Sequence, residues 1–581
     1  MSDTSTDPRR AELASRFLVL ALVGIFVVGL LGFVSAVISA GEEEPSASPT
    51  VVQPDAAAAD LAATRFRLAL DERTAAVASP PATSPPASAA ASPGTAAPPG
   101  ASAAPSGSLA PSSPQAIPVA VVGRFWARKD GIARRDVVQA LREGRVQSYK
   151  RVIVEDRIRE ALASELGIEL HEDVRGGDAD DVAAAVARGA LGLIAATDIV
   201  PSVKALSVDG RSLFGNGRVR NVEAWPLQVT LDTPAGEGWD QASTWVLVAG
   251  GDSFTARGVH NHTLIIDGGT GVGFPFGGGT AVVTGHGCCD PTFHENVVPR
   301  YRLTGNKGMV RRLFTSAELA ILNLESPITD DWSFRLSGTR FSGKPDLTRI
   351  FVRGGIDWVS IANNHIKDYG ADGIADTRRI LRRYGIRFGG AGKNLKQARR
   401  ISYLDAGPTR LAIIPCVAVV PFAWASPNDS GGTPCLDRYI VPDIKKAKKK
   451  ADLVIVFPHW GVEYTRRPLP SQRKHAARWV KAGADLILGA HSHVAGAIED
   501  IDGRPVLYSL GNLIFDQYWS TATMESVILE ATFAGPKLVQ MRLHPFITHK
   551  QSQPNLLDPS RGEGRRLLRK IQAASKSWLD W

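Results

Sequence analysis

Apolar runs recur along the second half of the chain, and most are followed at once by polar residues. WVLVA, ELAIL, DWVSIA, RLAIIP, DLVIVF and DLILG, all between Trp245 and Gly489, read as buried strands. Between them ADGIADTRRILRRYG and PSQRKHAARWVKAG place apolar residues at helical spacing and close on Gly385 and Gly483. Strands alternating with helices predict an α/β domain over 245–546, with a C-terminal tail over 547–581. Upstream, IPVAVV, RRDVVQALREG, VEDRIREALASELG and GALGLIAATDIV predict a smaller α/β unit over 117–234.

The N-terminal pattern is different. Phe17 to Ile38 is uncharged and apolar, long enough to cross ~30 Å of hydrocarbon as one helix. Arg9, Arg10 and Arg16 precede it and Glu42, Glu43 and Glu44 follow, so residues 1–16 are expected in the cytoplasm and everything after 38 outside it. A cleaved signal peptide, cut near Ala36 or Ala40, is the competing reading, but its apolar core is normally shorter. Residues 39–116 are rich in Ala, Ser and Pro. They cannot bury enough apolar surface to offset the entropy of ordering, and they predict a disordered linker.

Composition narrows the function classes. Hydrophobic residues make up 44% and charged residues 22% of the 581, which suits globular domains rather than a multi-span membrane protein. The 67 Lys and Arg against 58 Asp and Glu give a net charge of +9, which favours anionic partners. No compact motif for reading nucleic acid is present. Cys288, Cys289, Cys416 and Cys435 are the only cysteines and form no CxxC pair, arguing against a zinc ribbon. Cys416 and Cys435, expected outside the cytoplasm and flanking the loop AWASPNDSGGTP, are expected to form a disulfide, with Cys288 and Cys289 as competing partners.

The chemistry sits where the strands stop. Asp252 follows WVLVA; Asn323 and Glu325 follow ELAIL; Asn363, Asn364 and His365 follow DWVSIA; His459 follows DLVIVF; His491 and His493 follow DLILG. Carboxyl ends of parallel strands share one edge of a sheet, so these residues should converge in one cleft. Carboxylate, imidazole and carboxamide ligands together suit Zn, Mn or Fe better than Ca or Mg, and two such ions could share the site. Arg257, Arg466 and Arg467 are candidates for gripping a substrate carboxylate or phosphate, since Arg makes bidentate contacts. Asn323 is a further candidate substrate contact.

GGDSFTARGV, NLESPIT, ANNHIKDYG, GAGKNLKQA, HWGVEY, GADLILGAHSHV and YSLGNLIFDQ resemble, in unbroken order, the motifs of the CapA family of poly-γ-glutamate capsule-biosynthesis proteins. That family is similar to the calcineurin-like metallophosphoesterases, so the resemblance implies a four-layer α/β sandwich with a two-metal site at the strand ends. It implies that Asp252, Glu325 and His493 hold one metal and Asn364, His459 and His491 the other, with a bridging carboxylate. His365 would be the general acid or the phosphate-stabilising residue. Two departures stand out. Ser253 and Phe254 follow Asp252 where the phosphoesterases carry Asp-x-His, and NLE replaces their Gly-Asp motif, so the first site is expected to be the weaker.

In the smaller unit, DVVQALREG, GALGLIAATDIVPSVKALSVDG and WPLQV resemble one lobe of periplasmic solute-binding proteins of the phosphate-binding type, and a spacer role is expected for it. The Gly-rich run after Val259 could cover the cleft, and His260, His262 and His286 within it read as loop residues. KKAKKK at 445–450 and RRLLRK at 565–570 read as solvated faces or as grips for an anionic surface. The leading functional expectation is a membrane-anchored extracytoplasmic protein serving an anionic cell-surface polymer, alongside capsule synthetase or export subunits. A metal-dependent phosphoester hydrolase and a non-catalytic polymer-binding protein are the alternatives.

Overall fold

The computed structural model describes residues 112–577 and 579, apart from 147, 235–236, 267–274 and 289–296. The apolar stretch 17–38 and residues 39–111 of the Ala/Ser/Pro-rich segment lie outside the described residues, whereas its last residues, 112–116, are not linker but pair antiparallel with Gln228–Pro234 as the start of a strand. Among those described, no helix is long and apolar enough to cross a membrane. All of them fall within one compact unit, Ala57–Trp581.

The first sheet grows from IPVAVV, which forms the middle of the strand Ser112–Arg124 and is buried from Val119 to Val122. Leu191–Ala195 and Val203–Ala205 flank it antiparallel, and Val152–Glu155 and Arg175–Gly177 extend the sheet in parallel. Helices Arg134–Glu143 and Asp156–Leu166 end at Gly144 and Gly167, both left-handed, as a helix C-terminus favours.

This unit is docked on the larger domain. Val539 of the larger domain enters its apolar cluster, while Phe125 and Trp126 enter the larger domain's own core. The buried Arg218 guanidinium donates to Thr244 O at 2.7 Å and to Glu318 at 2.9 Å. Glu530 accepts from the Asn216 backbone N–H at 2.9 Å and pairs with His544 at 2.7 Å. Burial alone would raise the Glu530 pKa, but the hydrogen bond and charge of His544 bring it down to about 2. A depressed carboxylate contributes stability that is present above its ordinary value and lost as pH falls through its folded one. Acid should therefore remove on the order of 3 kcal/mol between roughly pH 4.5 and pH 2. Urea midpoints taken across that window should flatten in Glu530→Gln, and an unchanged pH slope in the variant would refute the assignment.

The larger domain has two sheets. Thr244–Ser253, Leu319–Leu324, Trp358–Ser360 and Arg387–Gly389 run parallel in the first; Thr409–Val417, Leu453–His459, Leu486–Leu488 and Arg504–Leu507 run parallel in the second. Side chains alternate along each strand. Trp245, Leu247, Leu411, Ile413, Ile455 and Phe457 form one cluster between the sheets. Val246, Val248, Ala320 and Leu322 point the other way, onto Phe314, Ile350 and Ile380 of the helices outside the first sheet. Val454, Val456 and Ile487 do the same against Ile444 and Trp479 outside the second. The order is helix, sheet, sheet, helix, and Thr244–Ser253, Leu319–Leu324, Trp358–Ser360, Leu453–His459 and Leu486–Leu488 are buried on both faces, which explains their unbroken apolar runs.

The expected C-terminal tail is instead part of this core. Gln553–Leu556 pairs antiparallel with Lys537–His549, and helix Gly562–Ser575 brings Leu567, Leu568 and Ile571 into the inter-sheet cluster. Their spacing is that of one helical face, so burying them stabilises the segment as folded structure.

Cys416 and Cys435 are bonded to each other, with Cα atoms 5.0 Å apart and a separation of 19 residues. The bond ties the end of Thr409–Val417 to the loop leading into the helix Asp437–Lys448. Closing a loop of this length should contribute about 3 kcal/mol, mainly by restricting the unfolded chain. The double variant Cys416→Ser/Cys435→Ser should lose that amount in urea denaturation; a loss below about 0.5 kcal/mol would show that the closure does not stabilise the protein.

Candidate metal centre

Thr244–Ser253 delivers Asp252, fully buried, through a bulge at Gly250–Gly251 where two residues are passed against one on Leu319–Leu324. A side chain at Gly251 would stand 1.9 Å from Gly511 O, so only glycine allows the approach in which Asp252 N donates to that carbonyl at 2.9 Å. The next strand ends at Leu324 and places Glu325, whose N–H donates to Ser253 O at 2.7 Å. His459 closes Leu453–His459, and His491 and His493 lie just beyond Leu486–Leu488. The latter two have φ of 94° and 57°. Non-glycine residues held there are strained, and the hydrogen bond from His491 N to Asp252 Oδ2 at 2.9 Å helps hold the turn.

The ligand atoms fall into overlapping groups. Asp252, Glu325 and His493 form one, and Glu325, His459 and His491 another, with candidate ligand atoms within 4.8 Å of one another in each. Glu325 belongs to both. Its Oε1 lies 3.5 Å from His459 Nε2 and 3.8 Å from His493 Nε2. Asn364 Oδ1 stands 2.7 Å from His459 Nε2, and His491 Nδ1 lies 3.1 Å from the same nitrogen. A third group joins the exposed Glu463 to His491 and His493.

The electrostatics fit a cation. Glu325 is fully buried and neither carboxylate oxygen has a hydrogen-bond partner among the described residues. A lone buried carboxylate is costly unless something positive faces it. Burial, and then the charge of Asp252, push the Glu325 pKa well above its usual range. Burial and then His493 push His491 down to about 3, and burial and then His491 push His459 well below its usual value. Burial would raise Asp252, but His493 and His459 hold it well below the normal range. Neutral imidazoles and a carboxylate kept from protonation are the forms in which these side chains ligate metals. The donor set therefore fits one or more divalent ions.

Residues 246–517 match the family model described as bacterial capsule synthesis protein PGA_cap. Over this segment the chain is similar to that family. The chain is 32% identical over 225 residues to the PGA biosynthesis protein CapA of Bacillus subtilis, covering 38% of this chain and 59% of that one. It is 36% identical over 194 residues to the capsule biosynthesis protein CapA of Bacillus anthracis, covering 32% and 47%. The chain thus spans about half the length of these relatives. Among solved structures, the NAD nucleotidase of Haemophilus influenzae is 13% identical, covering 57% of this chain and 63% of that one, at a TM-score of 0.31. The 5'-nucleotidase of Candida albicans is 10% identical, covering 56% and 58%, at 0.29. Overlaps this loose carry no argument about the site, which rests on its own geometry.

Several side chains of this domain differ from their sequence-based roles. Asn323 is buried and its amide donates to Asp252 Oδ1 at 2.8 Å, with His459 Nδ1 at 3.2 Å, so it supports the ligands instead of meeting substrate. Arg257 is held by Asp516, with its Nη2 2.5 Å from Oδ1, and its guanidinium lies 4.6 Å from the Phe341 ring centre. Arg466 donates to Ala495 O at 2.7 Å. Arg467 is exposed. Phe254, standing where the phosphoesterases carry a histidine, stacks on Phe515 at 4.0 Å. His260 ends the short helix Arg257–His260 and packs near Trp332, His262 lies in the helical turn Asn261–Ile266, and His286 is exposed on the strand Thr280–Cys288. These are not loop positions, and none of the three joins the ligand groups found among the described residues.

His365 is oriented from behind. Its Nδ1 lies 2.9 Å from Asp368 Oδ2 and its ring stacks on Phe341 at 4.0 Å. Asp368 also accepts from the Phe341 backbone at 2.7 Å. Asn512 Oδ1 stands 2.9 Å from His493 Nδ1, which orients the other ring nitrogen towards Glu325. Sequence reasoning gave no role to Asp368, Asn512 or Glu463, although all three lie inside motifs it singled out.

Proposed function

We propose that the chain is a membrane-anchored, extracytoplasmic CapA-type protein serving synthesis, export or attachment of an anionic cell-surface polymer, and that its cleft holds two divalent ions. The observation that carries the metal reading is the buried, hydrogen-bond-free carboxylate of Glu325, shared by two groups of imidazole and carboxylate donors. Asp252, Glu325 and His493 would hold one ion, and Glu325, Asn364, His459 and His491 the other. Such ions act as Lewis acids and make a hydrolytic nucleophile available at neutral pH. The chain's own residues do the rest. Asn323 and Asn512 fix the ligands. His365, steadied by Asp368, is placed to hold or give a proton, which favours a metallophosphoesterase-like hydrolase over a binding-only role.

Metal content of the full chain, followed by turnover assays on phosphoesters and γ-glutamyl polymers, tests this reading. About two ions per chain with turnover is the expected result. A chain that contains no metal and takes up none from Mn or Zn overturns it. Anchoring rests on the 17–38 pattern and the basic residues before it. Protease added to intact cells should remove the domains after residue 38, and their protection behind a sealed membrane would reverse the orientation.

A further inference from the structure

A cavity of about 470 Å³ lies where the edge strands Arg387–Gly389 and Ser402–Ala406 of the two sheets come side by side. It is separate from the metal cleft. Trp358, one of its walls, opens the strand Trp358–Ser360, whereas Asn364 and His365 follow that strand's other end. Four arginines line it: Arg378 and Arg382, one turn apart on the helix Gly370–Arg383, Arg387 at the start of Arg387–Gly389, and Arg400, just before Ser402–Ala406. No acidic residue is among its walls, and none of the four arginines stands in an ion pair among the described residues.

Arg378 is the informative one. It is buried, at 9% exposure, and its neutral partner is the Ala391 carbonyl. Buried arginines are normally matched by a carboxylate, and here three further arginines line the same space. Burial, then Arg382 and Arg400, lower its pKa to about 10, the mark of positive charge with no counterion. Phe388 lies beneath both helix arginines, 5.1 Å from Arg378 and 5.2 Å from Arg382. The Trp358 indole N–H and the Tyr403 hydroxyl, on residues of the same cavity, have no hydrogen-bond partner among the described residues. A water-filled, solvated arginine face would account for Arg382 and Arg400, both exposed, but not for a buried unpaired Arg378 among aromatic walls.

We infer that this cavity is a second binding site, for an oxyanion carried on a short chain, gripped by Arg378, Arg382 and Arg400 and seated against Phe388 and Tyr403. Planar guanidiniums match carboxylate and phosphoryl oxygens equally well in fork geometry. The source is therefore either the pendant α-carboxylates of a γ-linked glutamate polymer or a phosphoryl group. The site stands whether or not the metal cleft turns anything over.

The test is calorimetric titration of the full chain in detergent with γ-linked triglutamate and, separately, with inorganic phosphate, each with and without EDTA. At least one probe should bind saturably at a site that survives EDTA, which separates it from the metal cleft. Triglutamate alone would identify the polymer as the source, phosphate alone a phosphoryl group, and binding of both a general oxyanion site. In Arg382→Gln/Arg400→Gln, both positions being exposed, affinity should fall roughly tenfold or more. Metal content and probe-free melting temperature should stay as in the parent. Arg378→Gln should weaken binding further, and the exposed double variant keeps the test valid if that single variant misfolds. Absence of EDTA-resistant binding for both probes at millimolar concentration, or equal binding by the double variant, would overturn the inference.

Discussion

Glu325→Ala should release both divalent ions, whereas His459→Ala should release one. The difference follows from Glu325 standing in both ligand groups, while His459 stands in one. Affinity in the alanine variant should fall by more than the roughly 10–100-fold that loss of a hydrogen-bond partner behind a ligand costs. Thermal denaturation gives a second readout. Saturating Mn should stabilise the parent by about 2.7 kcal/mol at a hundredfold excess over Kd, because only the folded state presents the site. That gain should vanish in Glu325→Ala. With metals chelated, Glu325→Gln should be no less stable than the parent, since the amide removes a buried carboxylate that has no hydrogen bond. If Glu325→Ala keeps two ions, or Glu325→Gln is markedly less stable than the chelated parent, the carboxylate is structural and the shared-ligand reading fails.

Much of this centre was legible in the chain because of how parallel sheets are built. Strands buried on both faces must read as unbroken apolar runs, so the polar residues that break them at Asp252, Glu325, Asn364, His459 and His491 stand out. What could not be read was pairing across long sequence separations. Asn323 carries the same chemistry whether it meets substrate or a buried aspartate, and only its 2.8 Å contact with Asp252 decides between them. Asn512 behind His493 and Asp516 behind Arg257 are equally non-local. The docking of 117–234 escaped for the same reason, since Val539 and Glu530 give no local sign of the surface they meet. The C-terminal helix is a different case. The spacing of Leu567, Leu568 and Ile571 is that of a buried helix face, but the arginines and lysine around them give the same stretch the pattern of a solvated charged surface.

His365→Ala should leave both ions bound and lower kcat by roughly 10²–10⁴, the range that a well-placed acid or base contributes. The structure places His365 after the same strand as Asn364, but holds it through Asp368 and Phe341 and not among the ligand groups. Its loss should therefore leave metal stoichiometry and melting temperature near those of the parent. Asp368→Asn should act more weakly, because it disturbs the orientation of the ring without removing the proton-carrying group, and its effect should appear in the pH profile of kcat more than in KM. Because Asp368 also accepts from the Phe341 backbone, its variant could loosen that loop; the melting temperature measured alongside separates this from a change in chemistry. If His365→Ala abolishes turnover or polymer production with two ions retained, the centre is catalytic. If it changes no function while His459→Ala and Glu325→Ala both fail, the metals hold the fold or the polymer, and the binding role replaces hydrolysis.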